Sequence, residues 1–128
     1  MNEPRFVDRV TVDALHRLSL EQHSGQDGLR NENGLESALA QPQQVFFYTA
    51  GDLADMAAAY AYHIAQNQPF IDGNKRTAIL AALYFLESNS INTSALTDDE
   101  LYDAMIGIAE KRVDKVGLAA IFRRHLSP

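Results

Sequence analysis

The sequence predicts an all-α fold of about six helices, arranged in a single domain over residues 1–128. Two segments, residues 53–66 and 76–87, are apolar on nearly all sides, which is typical of buried central helices. In the flanking segments apolar residues recur at helical spacing, and capping residues precede most of them. A chain of 128 residues, of which 46% are hydrophobic, suits one hydrophobic core.

The first third of the chain predicts an amphipathic helix and a shorter second one. Residues 11–23 place their leucines and a valine near one stripe. Asn33, with Glu36 in the first turn, predicts the N-cap of the second helix. We expect that helix to stop near Pro42, because proline disrupts a helix interior. Residues 43–48 are aromatic and β-branched in part, and either an extended or a loop conformation fits them.

The middle of the chain predicts the two buried helices and a polar connection between them. Asp52 is the expected N-cap of the first, which is rich in alanine over residues 53–66. The second spans residues 76–87. Residues 67–74, between them, read NQPFIDGN and are interpreted as a polar loop, in contrast to the apolar helices on either side.

The last part of the chain predicts two capped helices. Thr97 and Glu100 form a Thr-Asp-Asp-Glu capping box at the start of a helix that runs to about Lys111. Asp114 is the expected N-cap of the final helix. Its basic end, residues 123–125, complements the negative end of the helix dipole.

Composition bounds the function classes. There is no cysteine, so disulfides and thiolate sites are excluded, and a reducing cytoplasm is the expected location. The net charge of −6 argues against a nucleic-acid-binding helical repressor or any broad attraction to DNA or RNA. No run of about 18 apolar residues predicts a membrane span, and no signal-peptide segment is recognisable.

The polar loop carries the strongest sign of chemistry. Gly73 permits a sharp turn, and the helix that follows begins with amides that have no intrahelical partner. Such amides and the helix dipole attract anions. Lys75 and Arg76 add cations where a dipole disfavours them, which suggests that a bound anion compensates. Asp72 is a hard oxygen ligand suited to Mg²⁺. The pattern therefore predicts a nucleotide phosphate site.

A purely structural interpretation of the same loop stays open. Asp-Gly-Asn is also a common turn, and Lys-Arg is compatible with a solvated helix start. Pro69 and Phe70 are compatible with a rigid bend and a core anchor, although an anchored aromatic would also fix the position of a binding loop.

Residues 68–77 read QPFIDGNKRT, which resembles the signature of the Fic/Doc family, His-x-Phe-x-(Asp/Glu)-(Gly/Ala)-Asn-(Lys/Gly)-Arg. The matching positions are Phe70, Asp72, Gly73, Asn74, Lys75 and Arg76. The resemblance is to the Doc (death-on-curing) branch, because the AMP-transferring Fic branch usually has glycine at the position of Lys75 and arginine at that of Ile79. Weaker similarity over residues 28–30, residues 34–42 and the helix after the motif extends the resemblance to most of the chain.

The resemblance implies a small helical transferase that binds ATP with Mg²⁺ and modifies a hydroxyl group of a target protein. Fic-branch enzymes transfer AMP. Doc-branch toxins transfer the γ-phosphate, in the known case to a threonine of elongation factor Tu. By this resemblance Asp72 would hold the metal, and Lys75 would act in both catalysis and binding. The residues implied to hold the nucleotide are Phe70, Gly73, Asn74, Lys75 and Arg76.

Position 68 departs from the family pattern, because Gln68 stands where the family has its catalytic histidine, the general base. A glutamine amide cannot take up the proton, although it can still hydrogen-bond the attacking hydroxyl. We therefore expect nucleotide binding with impaired transfer, whether Gln68 is an inactivating substitution or a natural variant. His63 is interpreted as a packed or hydrogen-bonded core residue, and His16, His23 and His125 lie on segments without a motif.

The resemblance also implies a separate antitoxin protein as inhibitor, because no Ser or Thr here is followed by Glu four residues later, as the family's internal inhibitory helix requires. A helix bound in a groove is a natural form for such a partner. Residues 28–48 are the expected flap that aligns the target protein. AMP transfer and a non-catalytic module that binds nucleotide or a partner remain alternatives to phosphate transfer.

Overall fold

A computed structural model describes residues 2–126, and these residues form six α-helices, which confirms the predicted all-α fold. In chain order they are α1 (Arg9–His23), α2 (Glu32–Thr49), α3 (Leu53–Asn67), α4 (Asn74–Ser88), α5 (Asp98–Ala109) and α6 (Lys115–His125). An isolated antiparallel β-bridge joins Leu29 and Phe70.

Helix α3 lies at the centre and packs against α2, α4, α5 and α6, while α1 packs against α4. The run from Met56 to Ala61 is fully buried, which explains why this segment is apolar on all sides. Tyr60 is the largest side chain in it, and its hydroxyl accepts a hydrogen bond from the Val7 amide at 2.8 Å. That bond ties the N-terminal segment to the core while satisfying a buried polar group.

Helix α2 differs from the prediction at both ends. Its N-cap is Asn31 rather than Asn33, because Asn31 is extended and its side chain accepts a hydrogen bond from the Gly34 amide. The helix also continues past Pro42 to Thr49, so the extended or loop conformation predicted for residues 43–48 was wrong.

The reason that α2 survives Pro42 is tertiary packing. A proline removes one amide hydrogen bond and disturbs the preceding turn, at roughly 3 kcal/mol in an exposed helix. Here Pro42 is buried, and the following turn carries Val45 and Phe46, which pack against the core. Phe46 meets the ring of Phe6 edge-on, with the centroids 6.2 Å apart. These contacts outweigh the local preference for a break.

The predicted caps of the other helices hold, with one difference. The side chains of Asp52, Thr97 and Asp114 accept hydrogen bonds from the first turns of α3, α5 and α6. At α5, however, only one bond of the predicted capping box is present. The Glu100 carboxylate lies instead 3.1 Å from the His125 Nε2 atom of α6, and so joins the last two helices.

A short antiparallel contact holds the polar loop in place. The Pro69 carbonyl accepts hydrogen bonds from the amides of Arg30 and Asn31, at 2.7 and 2.9 Å. The Ile71 amide donates to the Gly28 carbonyl at 3.0 Å. The segment before α2 is thus paired with the loop between the two central helices, although the two are about forty residues apart along the chain.

Candidate functional site

The loop between α3 and α4 forms the floor of a cleft of about 450 Å³. The end of α1, the end of α3 and one face of α5 complete its walls. Every residue of the sequence motif from Ile71 to Arg76 lines this cleft, and so does Gln68. Five of the predicted site residues are therefore brought together with Gln68 around one cavity; Phe70 lies beneath it.

Asn74 shapes the loop through its side chain. Its Oδ1 accepts a hydrogen bond from the Phe70 amide, and its Nδ2 donates to the Phe70 carbonyl, both at 2.9 Å. One side chain thereby closes the turn from both directions. Asn74 is predicted from sequence as a nucleotide-binding residue; in this structure its polar atoms are occupied in holding the loop.

Phe70 is an anchor. Only 3% of its surface is exposed, and its ring stacks on the His16 imidazole with a centroid distance of 3.8 Å and an angle of 10°. His16 Nε2 donates to the Asp72 carbonyl at 2.8 Å, because a carbonyl oxygen can only accept. His16 therefore fixes the loop at two points. The sequence offered no motif around His16, so its role was missed.

Gly73 is the turning point of the loop. Its φ of +83° lies in the left-handed region, where other residues are strained. A Cβ atom added here would lie 2.9 Å from the Ser19 hydroxyl oxygen, closer than packed atoms tolerate. Glycine is thus required both by backbone conformation and by the approach of α1.

The N-terminus of α4 begins at this glycine without a side-chain cap. Each of the other five helices in residues 2–126 has an Asp, Asn or Thr side chain that accepts a hydrogen bond from its first turn. The first residues of α4 instead line the cleft. Uncapped amides at the positive end of a helix dipole form a site that attracts anions.

The two cations of the motif differ in their surroundings. Lys75 is exposed at the cleft. Arg76 is half-buried, and its guanidinium carbon lies 4.6 Å above the Tyr102 ring. Its Nε atom is buried and has no hydrogen-bond partner among residues 2–126. A buried donor without a partner is costly in a folded protein, and an acceptor bound in the cleft would relieve that cost.

Asp72 is exposed and sits on the cleft edge. Its Oδ2 accepts a hydrogen bond from the Gln26 amide at 2.8 Å. Within residues 2–126 no group of three or more His, Asp or Glu side chains is placed to hold a metal ion. A metal at Asp72 would therefore depend on a single carboxylate and on ligands that are not protein side chains.

Gln68 ends α3 in a left-handed conformation, with φ +45° and ψ +57°. Arg30 holds it in place. The guanidinium donates to the Gln68 main-chain carbonyl from Nε at 3.2 Å and from Nη2 at 2.9 Å. Nη2 also donates to the side-chain Oε1 at 3.1 Å.

A sequence model of the Fic/DOC family matches residues 6–86, well over half of the chain. This chain belongs to the Fic/Doc family. It is 30% identical over 121 residues to the "Protein kinase doc" of Escherichia phage P1, covering 94% of each chain. It is 35% identical over 118 residues to a "Toxin Doc" of Mycolicibacterium smegmatis, covering 90% of this chain and 88% of the relative.

Both relatives carry the name Doc, which supports the Doc branch that the motif indicated. Fic/Doc proteins are nucleotide-using transferases, and an uncapped helix start in a cleft suits that general activity. Within the part of the chain that the structure describes, no helix is long and apolar enough to cross a membrane.

The histidines of this Fic/Doc chain occupy distinct environments. His63 is half-buried on α3, and its Nε2 accepts a hydrogen bond from the Lys115 Nζ at 3.0 Å. Burial, together with the charge of Lys115, lowers the pKa of His63 to about 4. It does not line the cleft. His23, by contrast, lines the cleft at the end of α1, which sequence reasoning did not anticipate because the two segments lie far apart in the chain.

Proposed function

We propose that this Fic/Doc protein is a toxin of the Doc branch, whose fold transfers the γ-phosphate of ATP to a hydroxyl group of a target protein. The observation that carries the proposal is the uncapped start of α4 inside the motif cleft. Similarity to proteins named "Protein kinase doc" and "Toxin Doc" supports it. Phosphoryl transfer depends mainly on positioning and on stabilising charge, and a preformed anion site supplies both.

The donors in the cleft suit a nucleotide's phosphates. The uncapped first turn of α4 follows Gly73, whose missing side chain makes room for Ser19 and His16 of α1 and so lets the loop turn tightly at the cleft. Lys75 supplies a mobile cation at the opening. Arg76 offers a buried Nε that has no partner within residues 2–126. Phe70 and Asn74 support this arrangement from beneath by fixing the loop.

Asp72 fits Mg²⁺ as one ligand among several. Its Oδ2 is held by the Gln26 amide, and its other oxygen has no hydrogen-bond donor among residues 2–126. Mg²⁺ commonly takes one or two protein carboxylates and completes its shell with phosphate oxygens and water. When bound, Mg²⁺ would neutralise charge that develops on the transferred phosphate.

We expect the unaltered chain to bind ATP and to transfer phosphate slowly. Gln68 occupies the position of the family's general base, and an amide cannot accept the proton of the attacking hydroxyl. Loss of a general base typically lowers a rate by about 10²–10⁴-fold. His63 does not compensate, because it lies outside the cleft and is engaged with Lys115.

The toxin relatives imply an antitoxin as a partner of this protein. A protein hydroxyl, such as the threonine of elongation factor Tu, is the target class that the proposal requires. Residues 28–48 are proposed as the flap that aligns the target. In support, residues 28–31 run beside the motif loop through main-chain hydrogen bonds, and Leu29 and Phe47 expose apolar surface.

Gln68→His tests the proposal. The variant should label purified elongation factor Tu, or another protein in a bacterial extract, from γ-³²P-ATP with Mg²⁺, at a rate about 10²–10⁴ times that of the unaltered chain. It should also slow growth when expressed. Gln66→His is the matched control, because it places an imidazole two residues earlier in the chain, outside the motif.

The position of the ³²P label in ATP distinguishes phosphate transfer from AMP transfer. Transfer from α-³²P-ATP would instead make the protein an AMP transferase. If Gln68→His binds Mg·ATP by calorimetry but labels no protein from either nucleotide, the chain is a binding module and the transferase proposal is wrong.

A further inference from the structure

The side-chain amide of Gln68 has a defined orientation. Oxygen and nitrogen of an amide are usually assigned from the hydrogen-bond network around them. Here the partner is the Arg30 Nη2 atom, 3.1 Å away, and a guanidinium only donates. The atom that faces Arg30 must therefore be Oε1. The amide nitrogen, with its two hydrogens, is turned away from Arg30, and Gln68 lines the cleft.

This orientation changes what Gln68 can do. An attacking hydroxyl needs an acceptor, but the acceptor oxygen of Gln68 is engaged by a cation, which makes it a poorer acceptor still. The group left for a ligand is a donor. Its two N–H bonds add to the donors at this cleft, where α4 begins without a side-chain cap and Lys75 and Arg76 line the wall. The Asp72 carboxylate on the cleft edge is an acceptor.

We infer that Gln68 is a binding residue for nucleotide phosphate and that Arg30 is the positioning residue that orients it. The Nε2 group of Gln68 donates to a phosphate oxygen of the nucleotide in the cleft. Position 68 thus carries a hydrogen-bond donor for an anion where the family has a proton acceptor. The inference rests on the proposed function, because it requires a nucleotide in this cleft.

Arg30 acts on Gln68 in two separable ways. Its bonds to the main-chain carbonyl hold the end of α3, whatever side chain stands at position 68. Its bond to Oε1 orients the amide and exists only when that position carries an acceptor. Replacing the side chain of Gln68 removes the second effect and leaves the first.

A matched glutamine is available as a control. Gln66 borders the same cleft, but its Nε2 already donates to the Tyr62 hydroxyl at 3.2 Å. If a polar side chain anywhere near the cleft were enough to raise the affinity for Mg·ATP, Gln66→Ala and Gln68→Ala would lower that affinity equally. If the free amide matters, only the change at position 68 should weaken binding.

The first experiment is calorimetric titration of Mg·ATP into the full chain. Gln68→Ala should weaken binding by about tenfold to a hundredfold, the range for a hydrogen bond to a charged acceptor. Gln68→Glu has nearly the same shape but places a carboxylate oxygen toward the phosphates, so it should weaken binding more than Gln68→Ala. Gln66→Ala should bind like the unaltered chain. Thermal unfolding curves verify that each variant is folded.

The second experiment tests Arg30. Arg30→Met should weaken Mg·ATP binding in the unaltered background by more than it does in the Gln68→Ala background, because the amide it orients is then absent. In ¹⁵N-resolved NMR spectra, the side-chain NH₂ resonances of Gln68, identified by their loss in Gln68→Ala, should shift on adding Mg·ATP. In Arg30→Met that shift should shrink.

The outcomes separate the two proposals. If the unaltered chain binds no Mg·ATP, the proposed function fails and this inference fails with it. If Gln68→Ala and Gln68→Glu both bind Mg·ATP as tightly as the unaltered chain does, the nucleotide site stands and the role inferred for Gln68 is wrong. If the effects of Arg30→Met and Gln68→Ala simply add, Arg30 does not act through the amide.

Discussion

The N-termini of the two central helices, α3 and α4, are built in opposite ways. At α3, Asp52 and Asp55 cap each other's backbone amides, and Arg123 of α6 forms ion pairs with both carboxylates. At α4, Gly73 offers no cap, and cations stand in the first turn. The first arrangement satisfies a helix end with the protein's own side chains, while the second leaves the start of its helix without a side-chain cap.

Under the proposed function, the end of α3 contributes stability and the end of α4 binds the nucleotide. The carboxylates at the start of α3 interact favourably with the positive end of the helix dipole and cap its amides. At the start of α4, the cations interact unfavourably with the dipole, and the glycine provides no cap. A protein selected for stability alone would cap both ends. Substitutions at the two helix ends should therefore have separable effects on stability and on nucleotide binding.

The largest effect is expected from Gly73→Ala. A side chain at φ +83°, with its Cβ 2.9 Å from the Ser19 hydroxyl, should lower the free energy of unfolding by about 2 kcal/mol. It should also abolish measurable Mg·ATP binding, because the loop must shift. Denaturant unfolding and calorimetry measure the two quantities.

Gly51→Ala is the matched control at the other helix end. Its Cβ would lie 2.6 Å from Val45 Cγ1, so it also destabilises the fold, but it precedes the capped α3. Its affinity for Mg·ATP should not change. A loss of binding in both glycine variants would mean that binding simply follows stability.

Lys75→Ala should have a smaller effect than Gly73→Ala, and it should change stability and Mg·ATP affinity in opposite directions. Removing a cation from the start of a helix should stabilise the fold by up to about 0.5 kcal/mol. It should weaken Mg·ATP binding by about tenfold or more, the usual range for a hydrogen bond to a charged group. Lys111→Ala, at an exposed lysine outside the cleft, serves as the control. Equal affinity in Lys75→Ala and the unaltered chain would argue against the phosphate site.

Asp52→Asn should have the smallest effect, and its signature is pH dependence. The hydrogen bonds from Arg123 lower the pKa of Asp52 to about 2. Because the folded pKa is below the unfolded value of about 3.9, the stabilisation is present above pH 4 and is lost as pH falls through 2. For this half-exposed pair it amounts to about 1 kcal/mol after screening. Asp52→Asn should remove this contribution to the pH dependence of stability, as measured by unfolding from pH 7 to pH 2. The affinity for Mg·ATP, measured by calorimetry, should not change.

Sequence reasoning recovered the helices whose signals are local. The caps at Asp52, Thr97 and Asp114 lie next to the turns that they satisfy, so spacing alone reveals them. The course of α2 through Pro42 could not be read in this way. It is decided by the burial of that turn against residues far away in the chain, which no local preference records.

The site was predictable to the same degree. The motif gave the loop from Asp72 to Arg76, because a short contiguous pattern carries it. The supporting residues, His16 stacked on Phe70 and Arg30 on Gln68, come from segments far from the loop in sequence. They become visible only when the chain is folded. Their contribution is to fix positions rather than to do chemistry, so no residue type signals them.

The hold of Arg30 on the Gln68 carbonyl has a consequence for inheritance. Every amino acid has that carbonyl, so the backbone at this position remains clamped when the side chain changes. Glutamine and histidine codons differ only in their third base. A single point mutation can thus exchange the amide for an imidazole without disturbing the loop, and another can reverse it.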